Sequence, residues 1–205
     1  RAVSAQDIRR LGELVADFHG RANTSPAITQ QGGLKAVNRN VRENFRQTRR
    51  YIGLCLTQDE YDDMVAYSQA FMTTRAETFL RRAAEGRIRD GHGDLHTGAV
   101  FLSDGIHILY CIEFNRRFRY GDVASDVAFP AMDLDFHGRP DLSKAFVQAY
   151  VQTCGDAGLE ELLDFFKSYR AYVRAKVTSF RLDDPLLSPT DREEALATAR
   201  AYYSL

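Results

Sequence analysis

The sequence predicts a mainly α fold of the α+β class, carrying one small β-hairpin, and three observations predict it. Apolar residues recur at helical spacing along most of the chain, as at Ile8, Leu11, Leu14, Val15 and Phe18, and again at Leu159, Leu162, Leu163, Phe166, Tyr169, Val173, Val177 and Phe180. Capping signatures head several of these stretches: Ser4 with Asp7, Thr57 with Glu60, Ser188 with Pro189. One place reads as strand, tight turn, strand. The run ending Val100-Phe101-Leu102 is followed by Ser103-Asp104-Gly105 and then by Ile106 through Ile112.

In chain order, the first helix starts at Ser4 and closes near Gly20. His19, near its end, reads as a core histidine bonded to backbone. Residues 23–33 are rich in Asn, Thr, Ser, Pro and Gly and read as a loop. A polar helix spans about 35–52 on Val37, Val41, Phe45 and Tyr51-Ile52. One long helix is expected from Thr57 to Gly86, with Tyr61, Met64, Val65, Phe71, Phe79 and Leu80 on its inner surface. After the hairpin, Gly121-Asp122 opens a helix to about 136, kinked at Pro130. Gly138 and Pro140 interrupt the chain before a helix to about 154, carried by Leu142, Ala145, Phe146, Ala149 and Tyr150. The amphipathic stretch from Leu159 to Phe180 stops at Asp183-Asp184-Pro185, and a last helix begins at Ser188. There is no internal repeat and no low-complexity segment.

The totals narrow the function classes. A chain of 205 residues is one domain's worth, enough for a packed core. A net charge of -1 gives no argument for nucleic acid or an anionic membrane. No apolar run is long enough to span a bilayer, and no signal peptide is visible. Cys55, Cys111 and Cys154 lack a CxxC pair, which fits a reducing compartment, the cytoplasm, better than a disulfide framework. The chain starts at Arg1 rather than Met, so its start carries little targeting information. Arg49-Arg50 and Arg81-Arg82 read as solvated helix faces.

The chemistry concentrates at Gly91-His92-Gly93-Asp94-Leu95-His96-Thr97-Gly98-Ala99. Glycines at 91, 93 and 98 permit backbone conformations that a Cβ opposes. Two histidines and an aspartate sit between them, beside an apolar hairpin whose far end runs into Glu113. Ionisable groups on such a loop point to a site.

At these residues the sequence resembles a known family. His92-Gly93-Asp94-Leu95-His96, then two strands, then Ile112-Glu113-Phe114, resemble the catalytic and metal-binding segments of aminoglycoside phosphotransferase-like and choline kinase-like enzymes. The run from Glu113 through Asn115-Arg116-Arg117, Gly121-Asp122 and Asp126 to Phe129 extends the likeness. It looks most like bacterial proteins that place such a domain before a P-loop ATPase domain. The likeness is strong over about 85–140 and consistent, though weaker, elsewhere.

The resemblance implies that residues 1–205 form a single helical C-terminal lobe of a protein-kinase-like fold, with a catalytic loop at 91–100 and a metal segment at 111–126. The N-terminal nucleotide lobe is expected to be missing from this stretch of chain, since no Gly-rich loop or strand lysine precedes the first helix, and Gly32-Gly33 lacks the strand and spacing of a phosphate loop. The implied reaction moves the γ-phosphoryl of ATP, with Mg²⁺, onto a small-molecule hydroxyl. Asp94 is the expected base, held by His92. Glu113 is the expected magnesium ligand, an oxygen donor of the type that ion prefers. His96 and Arg117 are the expected nucleotide contacts, with His96 equally placed to touch substrate or loop backbone, and Arg116, Arg117 and Arg119 equally open to pairing with nearby acids. Asp122 and Asp126 are expected to cap a helix or buttress the loop.

One departure stands out. The family carries an asparagine five residues after the aspartate, as a second metal ligand, and here that position is Ala99. The isolated chain is therefore expected to be inactive. A degenerate, pseudokinase-type interaction module is the second reading. A metal hydrolase using His92 and His96, or a non-catalytic helical scaffold, are others.

Overall fold

The computed structural model describes residues 3–205. Its helices are α1 (Ala5–Arg21), α2 (Pro26–Gly32), α3 (Leu34–Thr48), α4 (Gln58–Thr74), α5 (Ala76–Ala84), α6 (Arg116–Arg119), α7 (Val123–Phe136), α8 (Pro140–Cys154), α9 (Glu160–Phe180) and α10 (Pro189–Tyr203). Four three-residue strands, β1 (Ile88–Asp90), β2 (Val100–Leu102), β3 (Ile106–Ile108) and β4 (Tyr120–Asp122), pair into two small antiparallel sheets, β1 with β4 and β2 with β3. The fold is helical with small sheets, as the sequence leads one to expect.

Helix α7 is the axis. Its sequence is apolar almost all round, and a helix of that kind belongs inside. Val127, Ala128, Phe129, Pro130, Ala131 and Met132 are all buried. Helix α8 packs on one side of it and α9 on the other, with α1 outside α8 and α10 outside α9. The aromatic residues Phe146, Tyr150, Phe165 and Phe166 fill the interior, each contributing about 1.5–3 kcal/mol by burial. Phe136 of α7 stacks on Tyr202 of α10 with ring centroids 3.8 Å apart. The expected caps are present: the Ser4 and Asp7 box, the Thr57 and Glu60 box, and the Ser188 hydroxyl accepting from Asp191 N at 3.1 Å. No helix among the described residues is long and apolar enough to cross a membrane.

Several expectations need correction. Residues 23–33 are not all loop: Ser25 caps α2 by accepting from Ile28 N, with Pro26 in the first turn. The Ser-Pro signal that marked α10 was present here as well. The long helix from Thr57 to Gly86 is two helices, α4 and α5, parted at Arg75. Thr73 and Thr74 bond back to the carbonyls of Gln69 and Ala70, the competition with the backbone ladder that weakens a helix end. The hairpin's second strand stops at Ile108, four residues before Ile112, and Tyr110 takes a positive φ of 65°. A second sheet exists beyond the one hairpin, because β1 and β4 are too short and too charged to show an apolar pattern. Gly32 permits α2 to lie on it, since a Cβ there would come within 2.6 Å of Ile88 Cγ2 and 2.8 Å of Gly121 N.

Of the Arg81-Arg82 pair, Arg81 is exposed as expected but Arg82 is not. Arg82 is 0% exposed and reaches Asp122 through Nε and Nη2, both at 2.8 Å, and Asp156 through Nη1 and Nη2 at 2.8 and 2.9 Å. Burial disfavours its charge, yet the hydrogen bonds it donates to both carboxylates outweigh that and raise its pKa. Arg49 and Arg50 do lie on an exposed face, as expected, and Arg50 pairs there with Asp183 and with the Tyr51 hydroxyl.

Candidate active site: a pinned loop with one free carboxylate

Residues 91–99 run between β1 and β2 over the first two turns of α7 and beyond. That helix holds the loop with two aspartates seven residues apart, two turns and hence one face. Asp126 accepts the His92 and Gly93 amides, at 2.7 and 2.9 Å. Asp133 accepts the Thr97 amide and hydroxyl, at 2.9 and 3.0 Å. Leu95, 1% exposed, plugs the loop into the core. Arg170 on α9 closes the other side, donating to Gly93 O at 2.9 Å and Ser125 O at 3.1 Å while lying over the Phe129 ring.

Asp126 is buried and still charged. Burial pushes its pKa up, but the His19 hydrogen bond and the charges around it, Arg170 among them, hold it at about 2. His19 is in the core as expected, but its partners are side chains, not backbone: Nδ1 meets the Tyr150 hydroxyl at 2.9 Å and Nε2 meets Asp126 at 3.4 Å. Asp122 caps α7 by accepting from Ala124 N at 2.9 Å. The two aspartates thus hold the loop and the helix that carries it.

His92 is buried, and its ring is spent on the loop itself. Nδ1 accepts from Asp94 N at 3.3 Å, which leaves Nε2 protonated and donating to Leu109 O at 3.3 Å. Burial lowers its pKa against the pull of Asp126, so the ring stays neutral. With both nitrogens engaged it has no lone pair for zinc. Among the described residues no three His, Cys, Asp or Glu side chains are grouped to hold a metal.

Asp94 is the exception to this pinning. Its carboxylate accepts no hydrogen bond from the described residues, so it is not the backbone-capping aspartate that a loop of this kind often carries. Its side chain is 44% exposed, with His96 Nε2 the nearest basic atom at 3.7 Å. It lines a cleft of about 260 Å³ together with Arg117, Asn40, Asn44, Arg170 and Lys176. His92, His96 and Glu113 are not among the lining residues. His96 lies on the other side of Asp94, tilted against Phe129 with ring centroids 5.8 Å apart. Arg117 faces the cleft but is already bound to Asn40 at 2.7 Å and to Glu43. Arg119 is bound to Asp90.

Glu113 follows an irregular segment rather than a strand, with an exposed side chain. Its neighbours place it beside the loop: Ile112 N donates to His92 O at 3.2 Å, and Ile112 and Phe114 both line the cleft. Neither candidate partner completes a metal cage with it. Ala99 is a buried methyl group, and Asn115 Oδ1 already accepts from Arg117 N at 3.1 Å. One carboxylate fits a magnesium ion that arrives with nucleotide phosphates as its other ligands, the usual way that ion is held, and does not fit a protein-made cage.

The residues that sequence reasoning missed are Asp133, Arg170, Tyr150 and Arg82. The first had a signal: an acid inside an apolar helix needs partners. The glycines of the loop are required by geometry. A Cβ on Gly91 would lie 2.4 Å from Asp126 Oδ2, and Gly93 has a φ of 82° with Phe118 O 2.6 Å from its Cβ position. Gly93→Ala is expected to cost about 1–3 kcal/mol in chemical denaturation, from the left-handed backbone alone and more from the clash. A change below about 0.5 kcal/mol would show that the loop is not held in this conformation.

Uncharacterised proteins of Mycobacterium bovis and Mycobacterium tuberculosis are 39% identical to the chain over 172 residues, which is 83% of this chain and 34% of theirs. The chain thus spans about a third of the length of the curated relatives it matches. No solved structure matches it. The model of the phosphotransferase enzyme family matches residues 1–165, the segment that contains the loop, the hairpin and α7, and the chain belongs to that family.

Proposed function

We propose that the loop is the catalytic loop of a kinase transferring the ATP γ-phosphoryl to the hydroxyl of a small molecule, with Asp94 as its base. One observation carries the reading: Asp126, Asp133 and Arg170 pin the loop by its backbone, while the Asp94 carboxylate, with His96 at 3.7 Å as its ion-pair neighbour, is spent on no hydrogen bond from the described residues and faces a cleft. A base must be positioned by its surroundings and not consumed by them. Asp94 would orient the acceptor hydroxyl and take its proton, while Asp126, Arg170 and His92 keep the carboxylate where the hydroxyl arrives. Magnesium, entering with the nucleotide, would use Glu113 and neutralise phosphate charge. His96 and Arg117 stand as proposed nucleotide contacts.

In this reading the chain is the C-terminal lobe of a kinase-like fold in a cytoplasmic protein. A nucleotide-binding lobe before α1 and a P-loop ATPase domain belong to the same proposal. The relatives' greater length supports extra domains. So does the apolar face beside the hairpin, where Phe101, Tyr110 and Phe114 are exposed, the last at 86%. Ala99 favours a second reading, a pseudokinase-type module that has lost transfer.

Asp94→Ala in the full-length protein separates the two. Turnover should fall about 10²- to 10⁴-fold, the usual contribution of a positioned base. The thermal midpoint should stay within a few degrees, because the side chain makes no packing contact that the fold needs. Turnover equal to wild type would remove Asp94 from the chemistry.

A further inference from the structure

The cations that line the cleft are mostly matched by acids. Arg117 has Glu43, Arg119 has Asp90 and Arg170 has Asp126. Asp122 has Arg82. Arg89 is spent on the Gly86 and Ala22 carbonyls, and Lys176 on α9 donates to Asn44 Oδ1 at 2.7 Å and Gln47 Oε1 at 3.2 Å, two neutral amides. Burial pushes its pKa down, Glu43 opposes that only from a distance, and Arg117 adds to it. Glu43 is itself committed to Arg117.

Asn44 on α3 supplies a second, independent feature. It is 5% exposed, and its Nδ2 makes no hydrogen bond of good geometry, the Tyr169 hydroxyl being the neighbour it acts on. Its orientation follows from Lys176, which has only donors to offer, so that Oδ1 faces the ammonium and Nδ2 is the arm of the amide left as donor. A buried unpaired amide donor costs about 1–3 kcal/mol and calls for an acceptor. Lys176, Asn44 and Asp94 all line the one cleft.

We infer that Lys176 and Asn44 form an oxyanion subsite, and that the acceptor hydroxyl belongs to a small anionic compound bearing a carboxylate or phosphate, not to a cationic amine. The acceptor half of this statement rests on the phosphoryl-transfer reading; the anion half does not. An oxyanion would take one hydrogen bond from each group and supply the missing countercharge, the stronger, charge-assisted kind of contact.

The test is nitrogen-15 NMR titration of the chain with inorganic phosphate, acetate and methylammonium, following the Asn44 side-chain amide. Phosphate or acetate should shift it saturably, and which of the two binds tells phosphate from carboxylate. Lys176→Met and, separately, the near-isosteric Asn44→Asp should weaken that anion at least tenfold, read in the second variant from backbone amides of α3. Asp94→Asn should leave anion binding intact. No saturable response to either anion, an unchanged affinity in both variants, or saturation by methylammonium alone would overturn the subsite. Anion binding in a full-length protein that transfers no phosphoryl group would keep the subsite and defeat the kinase reading.

Discussion

Arg82→Ala should destabilise the protein by about 3–5 kcal/mol, the loss usual when one member of a buried charge network is removed. The guanidinium is fully buried and makes four hydrogen bonds to two carboxylates that are themselves almost inaccessible. Without it Asp122 and Asp156 remain buried with like charge, and Arg87, 3.7 Å from Asp156, is the one other cation near. Urea denaturation measures the change. A loss below about 1 kcal/mol would place the ion network outside the stability of the fold. The effect reaches the site, because Asp122 caps the helix that carries Asp126 and pairs β4 with β1 beside the loop. Arg82→Ala combined with Asp122→Asn and Asp156→Asn should recover part of the loss, since no uncompensated charge then stays inside.

Asp126→Ala should have the second large effect, and it should divide between stability and turnover. The carboxylate accepts two loop amides and lies against His19 and Arg170. Truncation leaves those donors without an acceptor, an expected cost of about 3 kcal/mol. A loop relaxed by about 1 Å should also lower turnover of the full-length protein about 100-fold, because catalytic positioning is that sensitive. The pH dependence has a definite sign. The folded pKa, about 2, lies below the ordinary aspartate value, so the contribution is present above about pH 4 and fades as pH falls through 2. It amounts to about 2 kcal/mol. Wild type should lose stability more steeply than Asp126→Ala between about pH 4 and 2. Parallel curves would mean that the carboxylate titrates as it does in the unfolded chain.

The legible part of the sequence was what local chemistry writes down. Caps at Ser4, Thr57 and Ser188 placed the starts of α1, α4 and α10, and apolar periodicity placed α1, α8 and α9 within a residue or two, while the end of α4 was missed. The helical class followed from them. The loop stood out because glycines and ionisable residues rarely share a segment without reason, and Asp122 and Asp126 were expected in the supporting roles they hold. What could not be read was long-range pairing. Arg82 looks like any surface arginine until α5 is brought up to the end of β4 and the loop after α8, and its acids come 40 and 74 residues later. His19 depends on Tyr150, 131 residues away. Strands of three residues carry too little pattern for a second sheet to be seen, and Glu113 looked like a strand end because the apolar run outlasts the ladder.

The most direct measurement is phosphorus-31 NMR of the full-length protein with ATP, magnesium and a panel of small hydroxyl compounds, anionic ones included. The account predicts that, with at least one of them, a phosphomonoester resonance grows in step with ADP, because the γ-phosphoryl has moved to an acceptor oxygen delivered to Asp94. Release of inorganic phosphate alone, or no consumption of ATP with any of the panel, would contradict it.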